Sequence, residues 1–306
     1  MKQKLFIFWL ISLALVAGLI FLADSRPLVS SAEVELNIPE PIVKLKTNSS
    51  PPALGARAFI SMALAPDGRT EVLVEKDAHQ RWPIASITKF FTASVALNKY
   101  LPDQVITLAQ ADLPENVDRG FLRLGDSFRV NDLLIPLLLE SSNNSAVALA
   151  RAGGDSANFI RTMNDFAAEL NLNDTTLFNP NGLDPEIPGG VNYSSVHDLA
   201  MLGKWLIRHR PELLAATRDS SAVVRQSDGS FHHQAESTNI LLKTEPWSGD
   251  IIGGKTGQTD LAGKNLLLIL RPTGSLNYLV NVILGSPDHF AEMSELTNWI
   301  YKTYQL

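Results

Sequence analysis

The sequence predicts an α/β protein of the α+β kind: an antiparallel sheet built from strands near both ends of the folded chain, flanked by helices, with a helical lobe inserted between them. Three observations predict it. Strand-like runs lie at residues 58–77 and again at 265–285, and helical three- and four-residue spacing dominates between them, from about Val130 to Leu172. With 306 residues, 45% of them hydrophobic and 19% charged, the chain has ample material for a large core.

The elements follow in order. Leu5 to Ala23 is an apolar run without a charge, preceded by Lys2 and Lys4 and followed by Asp24. At about 1.5 Å per residue it spans roughly 28 Å, close to a bilayer's hydrocarbon thickness. Basic residues before it and acidic ones after it put the N-terminus in the cytoplasm and the remainder outside. Residues 1–24 are therefore expected to be an N-terminal membrane anchor. A cleaved signal segment is the alternative, because Ser30-Ser31-Ala32 offers small residues for cleavage, although a secretory apolar region is usually about 7 to 15 residues long. Residues 25–55 carry Pro39, Pro41, Pro51 and Pro52 with no sustained period and read as a flexible linker, which leaves 56–306 as the folded domain.

From Ala58, AFISMALAP alternates weakly as a strand, Asp67-Gly68 supplies a hairpin turn, and TEVLVEKD returns. IASITKFFTASVALNKY, Ile84–Tyr100, reads as a buried helix beginning near Ser86, with Pro83 as its opener. VNDLLIPLLLE starts a helix that Pro136 should kink or shorten. Ser141-Ser142-Asn143-Asn144 turns into another helix, ended by Gly153. DLAMLGKWLIRHR is a further helical block, NLLLILR and NYLVNVILG are strands, and a helix near Phe290 to Tyr304 closes the chain.

One residue in this scheme is out of place. A helix N-terminus disfavours a cation by about 0.3 to 1 kcal/mol, yet Lys89 stands in the first turn after Ser86. Three positions apart on a helix share a face, so Lys89 reaches the Ser86 hydroxyl, and a lysine whose ammonium is destabilised can take a serine's proton. That requires moving a lysine from about 10.4 toward 7, or about 4 to 5 kcal/mol against the charged form. The S-x-x-K pattern alone carries little weight, since a chain of this composition contains about one by chance. Two other clusters add to it. Ser141-Ser142-Asn143-Asn144 is one. The other is Gly253-Gly254-Lys255-Thr256-Gly257 before a strand, where glycines permit close approach of another backbone and Lys255 and Thr256 can hold a carboxylate. A K-T-G triplet is expected by chance only about 0.04 times.

SITK, SSN and KTG in this order resemble the penicillin-recognising serine hydrolases, most closely the low-molecular-mass D-alanyl-D-alanine carboxypeptidases. The likeness runs over about Ala58 to Leu306 and includes RWPIASITK, LLLESSNNSAVALA, LFNPNGLD, NYSSVHDLA and GGKTGQTDLAG. It implies a β-lactamase/DD-peptidase-like fold and an acyl-enzyme on Ser86, with Lys89 as base. It further implies Ser141 as the proton relay to the leaving D-Ala, and Asn143 bonded to Lys89 and the substrate backbone. Lys255, Thr256, Gly257 and Gln258 complete the substrate site, with the Ser86 and Gln258 main-chain N–H groups as oxyanion hole. The implied substrate is the peptidoglycan stem peptide, with β-lactams as inhibitors, and the implied place is the extracytoplasmic face of the membrane. Endopeptidase action on cross-linked peptidoglycan is the alternative within the family.

Two positions depart from the family pattern. Asn144 stands where these carboxypeptidases commonly carry Asp, and Gln258 replaces an aromatic residue or His. A serine β-lactamase shares the three clusters but needs a further carboxylate for its deacylating water. Before Glu169-Leu170-Asn171 that position is Ala167. A non-catalytic wall-binding module of the same fold is a third reading, set against the presence of every nucleophile and lysine position. Net charge of -6 and the lack of a Lys/Arg run argue against a nucleic-acid partner, and no cysteine means no disulfide, thiolate metal site or Cys nucleophile. His79, His197, His209 and His289 are scattered, while His232 and His233 are adjacent and should point apart on any regular element. No metal and no cofactor are expected. His197-Asp198 reads as a capped helix start, and Trp82 as core.

Overall fold

The computed structural model describes residues 41–113, 121–185, 189–244 and 249–306. The expected anchor and most of the expected linker lie outside the described residues. Among those described, no helix is long and apolar enough to cross a membrane.

A five-stranded antiparallel sheet is the centre of the molecule. Its strands are β1 (Ala58–Leu64), β2 (Thr70–Lys76), β3 (Gly249–Thr259), β4 (Gly263–Pro272) and β5 (Tyr278–Ser286), in spatial order β3-β4-β5-β1-β2. The two ends of the folded chain therefore meet where β1 pairs with β5, and a buried bond of 2.7 Å from Ser61 Oγ to Asn281 Oδ1 crosses that seam. Successive side chains of a strand face opposite sides. Leu266, Leu268 and Leu270 of β4 accordingly join one core, while Leu267 and Ile269 join the other. Because both faces are covered, these strands read as continuous apolar runs with only weak alternation.

The helices are α1 (Lys89–Lys99), α2 (Asn143–Arg151), α3 (Ser156–Glu169), α4 (Val196–His209) and α5 (His289–Thr303). α5 contributes Met293, Leu296 and Ile300 to the smaller core. α4 lies on the opposite face, and α1, α2 and α3 form the inserted lobe around Phe90, Phe91, Leu149, Phe159 and Met163. Ser195 caps α4 by accepting from the Asp198 N–H at 3.1 Å, so the His197-Asp198 pair belongs to a helix start as expected.

Four local features differ from the sequence expectation or sharpen it. First, α1 begins at Lys89, and Ser86 lies in a 3₁₀ turn, Ala85–Thr88. Ala85 takes φ 47°, which a helix cannot continue through, and Ile84 N–H is held by the Asn192 carbonyl at 3.0 Å. Second, Pro136 ends the α-helical stretch Val130–Ile135 and opens a π turn, Pro136–Glu140, because it has no N–H for the regular ladder. Third, the compact unit starts at Pro41, well before residue 56. Lys44–Leu45 pairs with Tyr304–Gln305, and Val43 and Leu54 are buried, since apolar side chains here reach the groove beside α5. Fourth, residues 221–236 form a hairpin, Ser221–Arg225 with Phe231–Glu236, which the sequence reading did not identify. Its register steps from Val224↔His233 to Arg225↔Phe231, so His232 is an extra, bulged residue. That corrects the expectation for the adjacent histidines: the bulge turns both rings together, with the two Nδ1 atoms 2.6 Å apart.

Candidate active site

The turn carrying Ser86 is gripped from two sides. A Cβ added to Gly182, which has φ 82°, would lie 2.0 Å from the Ala85 carbonyl oxygen, and one added to Gly257 would lie 2.8 Å from that of Ile84. Only glycine allows loop 178–183 and strand β3 to approach the serine this closely.

Lys89 is fully buried. Its Nζ is 2.8 Å from Ser86 Oγ, 2.7 Å from Asn143 Oδ1 and 2.7 Å from the Asn181 carbonyl oxygen. The 3₁₀ turn makes the first of these distances short, because residues three apart eclipse there. The Asn181 contact was not foreseen, although LFNPNGLD was among the resembling stretches. A backbone carbonyl leaves no trace in residue identity. The loop that presents it is held by Asn179 and Asn192: Asn179 Oδ1 accepts from Gly182 N–H at 2.6 Å, and Asn192 Nδ2 donates to Thr88 Oγ1 at 3.0 Å. Asn143 and the Asn181 carbonyl can only accept at these atoms, whereas the Ser86 hydroxyl can accept or donate. A neutral amine has two N–H donors and one lone pair. An ammonium donates to all three oxygens of this set, and once it has lost a proton the amine still serves the two obligate acceptors while its lone pair faces the Ser86 O–H, so the same contacts hold the group in position to act as a base.

Ser141 ends the π turn with φ 67°, and Ser142 caps α2 by accepting from Ser145 N–H at 3.2 Å. The cleft, about 260 Å³, is lined by Ser86, Ser141, Thr238, Thr256, Gly257, Gln258, His289 and Phe290. Five of these lie within the three sequence clusters or directly after K-T-G. Thr238, His289 and Phe290 were missed, because they stand beside strand edges and helix ends without a motif of their own. Thr238 and Thr256 are joined through their hydroxyls at 2.6 Å. Burial brings the His289 imidazole down to about 4, so it is neutral at pH 7, and its Nδ1 has no hydrogen-bond partner among the described residues.

Lys255 is also buried, its Nζ donating to the Thr256 carbonyl at 3.1 Å, and burial brings it down to about 7. The strand around it packs directly on the Ser86 turn. Thr217 Oγ1 accepts from Gly254 N–H at 3.0 Å, closing the edge of β3 just before Lys255. Ala167, where a β-lactamase reading wanted a carboxylate, is buried apolar core, and Glu169 at the end of α3 is exposed.

The sequence profile of the D-alanyl-D-alanine carboxypeptidase family matches residues 45–287. The chain is 30% identical to D-alanyl-D-alanine carboxypeptidase DacC of Escherichia coli over 83% of its own length and 63% of that protein's. It is 31% identical to the D-alanyl-D-alanine endopeptidase of Pseudomonas aeruginosa over 78% and 76% respectively. It thus spans less than two thirds of the length of DacC. Its backbone is similar to penicillin-binding protein D2 of Listeria monocytogenes in the ampicillin-bound form, with a TM-score of 0.68 and 28% identity over 82% of this chain and 98% of that one. A profile that covers most of the folded unit, together with the S-x-x-K, S-x-N and K-T-G clusters brought into one place, settles the relationship: the chain belongs to the D-alanyl-D-alanine carboxypeptidase family.

Proposed function

We propose that the protein is a serine-type D-alanyl-D-alanine carboxypeptidase acting on peptidoglycan stem peptides. The observation that carries this reading is Lys89 Nζ, buried and held 2.8 Å from Ser86 Oγ by Asn143 Oδ1 and the Asn181 carbonyl. Ser86 Oγ attacks the carbonyl carbon of the penultimate D-Ala while Lys89 takes its proton. The oxyanion forms against the main-chain N–H groups of Ser86 and Gln258. Ser141 passes a proton to the departing D-Ala amine, the C–N bond breaks, and the acyl group remains on Ser86. Water, activated by the same lysine, hydrolyses that ester. Asn143 aligns the substrate backbone, Thr256 binds the terminal carboxylate, Gly257 leaves room for the chain along β3, and Lys255 supplies positive charge behind it. A β-lactam presents an amide and a carboxylate in the same relation and acylates Ser86. Residues 5–23 anchor the chain, which works on the extracytoplasmic face of the membrane, and residues 41–306 form the catalytic unit.

Labelling with a fluorescent penicillin tests the reading. The chain should become covalently labelled, and Ser86→Ala should abolish the label. An unlabelled parent protein removes the acyl-enzyme proposal, and rapid release of hydrolysed penicillin makes the protein a β-lactamase. The fuller coverage of the endopeptidase relative favours a second reading, cleavage of the D-Ala cross-link. Offering a pentapeptide and a cross-linked dimer separates the two: consumption of the dimer alone replaces carboxypeptidase by endopeptidase.

A further inference from the structure

The two glycines that press on the Ser86 turn sit on segments that are themselves joined. Gly182 lies on the loop that gives Lys89 the Asn181 carbonyl, and Gly257 lies on β3 next to Gln258. Two residues beyond each glycine the segments meet. The Thr259 hydroxyl donates to Asp184 Oδ1 at 2.8 Å, and Leu261 N–H donates to Asp184 Oδ2 at 3.0 Å. Thr259 Oγ1 also accepts from Ala262 N–H at 3.1 Å, and the Ala262 carbonyl accepts from Trp82 Nε1 at 2.8 Å. Trp82 leads through Pro83 and Ile84 into the Ser86 turn. The bonds therefore run from the loop, across the end of β3, and back to the chain just before the nucleophile.

Each segment has its own root. In the loop, the Pro180 carbonyl accepts from Thr92 Oγ1 at 2.6 Å and Asn179 Oδ1 accepts from Gly182 N–H at 2.6 Å. β3 is the edge strand of its sheet and is laddered to β4 alone, with Gln258 opposite Lys264 and Thr259 opposite Gly263. What joins one segment to the other is Asp184. Among the described residues, its two bonds are the hydrogen bonds between loop 178–185 and residues 257–262. Asp184 is also the last residue of LFNPNGLD, a stretch whose part in the site is otherwise the Asn181 carbonyl and the glycine contact.

The spacing that these bonds set is the one the chemistry uses. Loop 178–185 holds Lys89 Nζ, and the end of β3 carries the Gln258 N–H of the oxyanion site, with Ser86 between them. Misplacing reacting groups by about 1 Å can cost about a hundredfold in rate. We propose that Asp184 is a positioning residue, whose carboxylate closes the loop and the end of β3 on the Ser86 turn and so keeps the lysine, the serine and the oxyanion N–H at one spacing. The inference rests on the acyl-transfer reading above. Asp184 acts through these neighbours and does not itself touch the reacting atoms.

The test measures acylation of the full chain by a fluorescent penicillin, resolved into initial binding and the acylation step, at temperatures where melting curves show each variant folded. Asp184→Ala should slow the acylation step by roughly ten- to a hundredfold and leave initial binding little changed. Asp184→Asn keeps an oxygen for Leu261 N–H and an amide N–H for Thr259 Oγ1, so it should stay within about threefold of the parent. Thr259→Val removes the hydroxyl and should slow the same step. The double variant Asp184→Ala with Thr259→Val should then be about as slow as Asp184→Ala alone, because both changes break one shared bond. A carboxylate that merely stabilised the fold would lower the melting temperature and leave the acylation step of the folded protein at the parent's rate. That result in Asp184→Ala overturns the inference, as does Asp184→Asn as slow as Asp184→Ala, or a double variant in which the two losses multiply. Should Asp184→Ala fail to fold, Thr259→Val decides alone, and the parent's rate there overturns the inference. In each of these cases the parent still labels and the acyl-transfer reading stands. A parent that does not label overturns that reading and this inference with it.

Discussion

At the residue scale, two lysines on different elements divide the demands that one local pattern suggested. Sequence reasoning placed the electrostatic cost on Lys89 alone. The fold also buries Lys255, whose position is lowered to about 7 by desolvation. An unfolded lysine keeps its proton to about 10.4, so between about 7 and 10.4 the unfolded chain binds more protons here, and this residue's contribution to stability rises with pH across that window. Substrate binding runs the other way. Lys255 is charged below about 7, and in the role proposed for it that charge supports the substrate carboxylate, so kcat/KM for a D-Ala-D-Ala peptide should fall as pH rises through about 7. In Lys255→Arg, whose guanidinium stays charged, the fall should move to higher pH; pH–rate profiles of parent and variant check this. Gly182 is the second residue-scale case. Gly182→Ala would set a methyl 2.0 Å from a backbone oxygen at φ 82°. It should lose about 2 to 4 kcal/mol in chemical denaturation and slow penicillin acylation, because the displaced atoms belong to the Ser86 turn.

At the element scale, α2 matters because it begins with Asn143. It is pinned from its other end: Arg151 makes a two-pronged pair with Asp112, Nε to Oδ1 at 2.6 Å and Nη2 to Oδ2 at 2.7 Å, and the Asp112 carboxylate is fully buried. Removing one partner of a buried pair leaves an uncompensated charge. Because the Arg151 side chain is partly exposed and Ala109 N–H still donates to Asp112, Arg151→Ala should destabilise the protein by about 1 to 3 kcal/mol, read from denaturant midpoints, with slower penicillin acylation as Asn143 loses its support. The same scale explains how β3 presents its open edge. The short helix Pro211–Ala215 and Thr217 close the strand at Gly253 and Gly254, just before Lys255.

At the scale of the whole molecule, the seam between the two ends of the chain extends beyond the sheet. Residues 41–55 run along α5, with Gly55 N–H donating to Glu292 Oε1 at 2.5 Å and Lys46 N–H to the Thr303 carbonyl at 2.7 Å. Val43 and Leu54 are buried there. Fully burying such a side chain is worth about 1.5 to 3 kcal/mol, an upper range for this comparison. A fragment starting at Ala56 should melt roughly 6 to 12 °C below one starting at Pro41, as about 3 kcal/mol implies for a domain of this size.

Sequence alone determined the sheet from both ends, the helical lobe and the three clusters. Periodicity reports which side chains are buried, and serine, lysine and asparagine carry their chemistry with them. It could not determine that Ser86 sits in a 3₁₀ turn, which follows from Ala85 at φ 47° being trapped by Gly182 and Gly257 from distant segments. Nor could it give the Asn181 carbonyl on Lys89, the Thr238–Thr256 wall or the contact between the two histidine rings. Each of those is a contact between atoms far apart in the chain, or a bulge of one residue that reverses a side chain's direction. Local patterns specify which groups are present. Only the closing of the tertiary structure decides which of them meet.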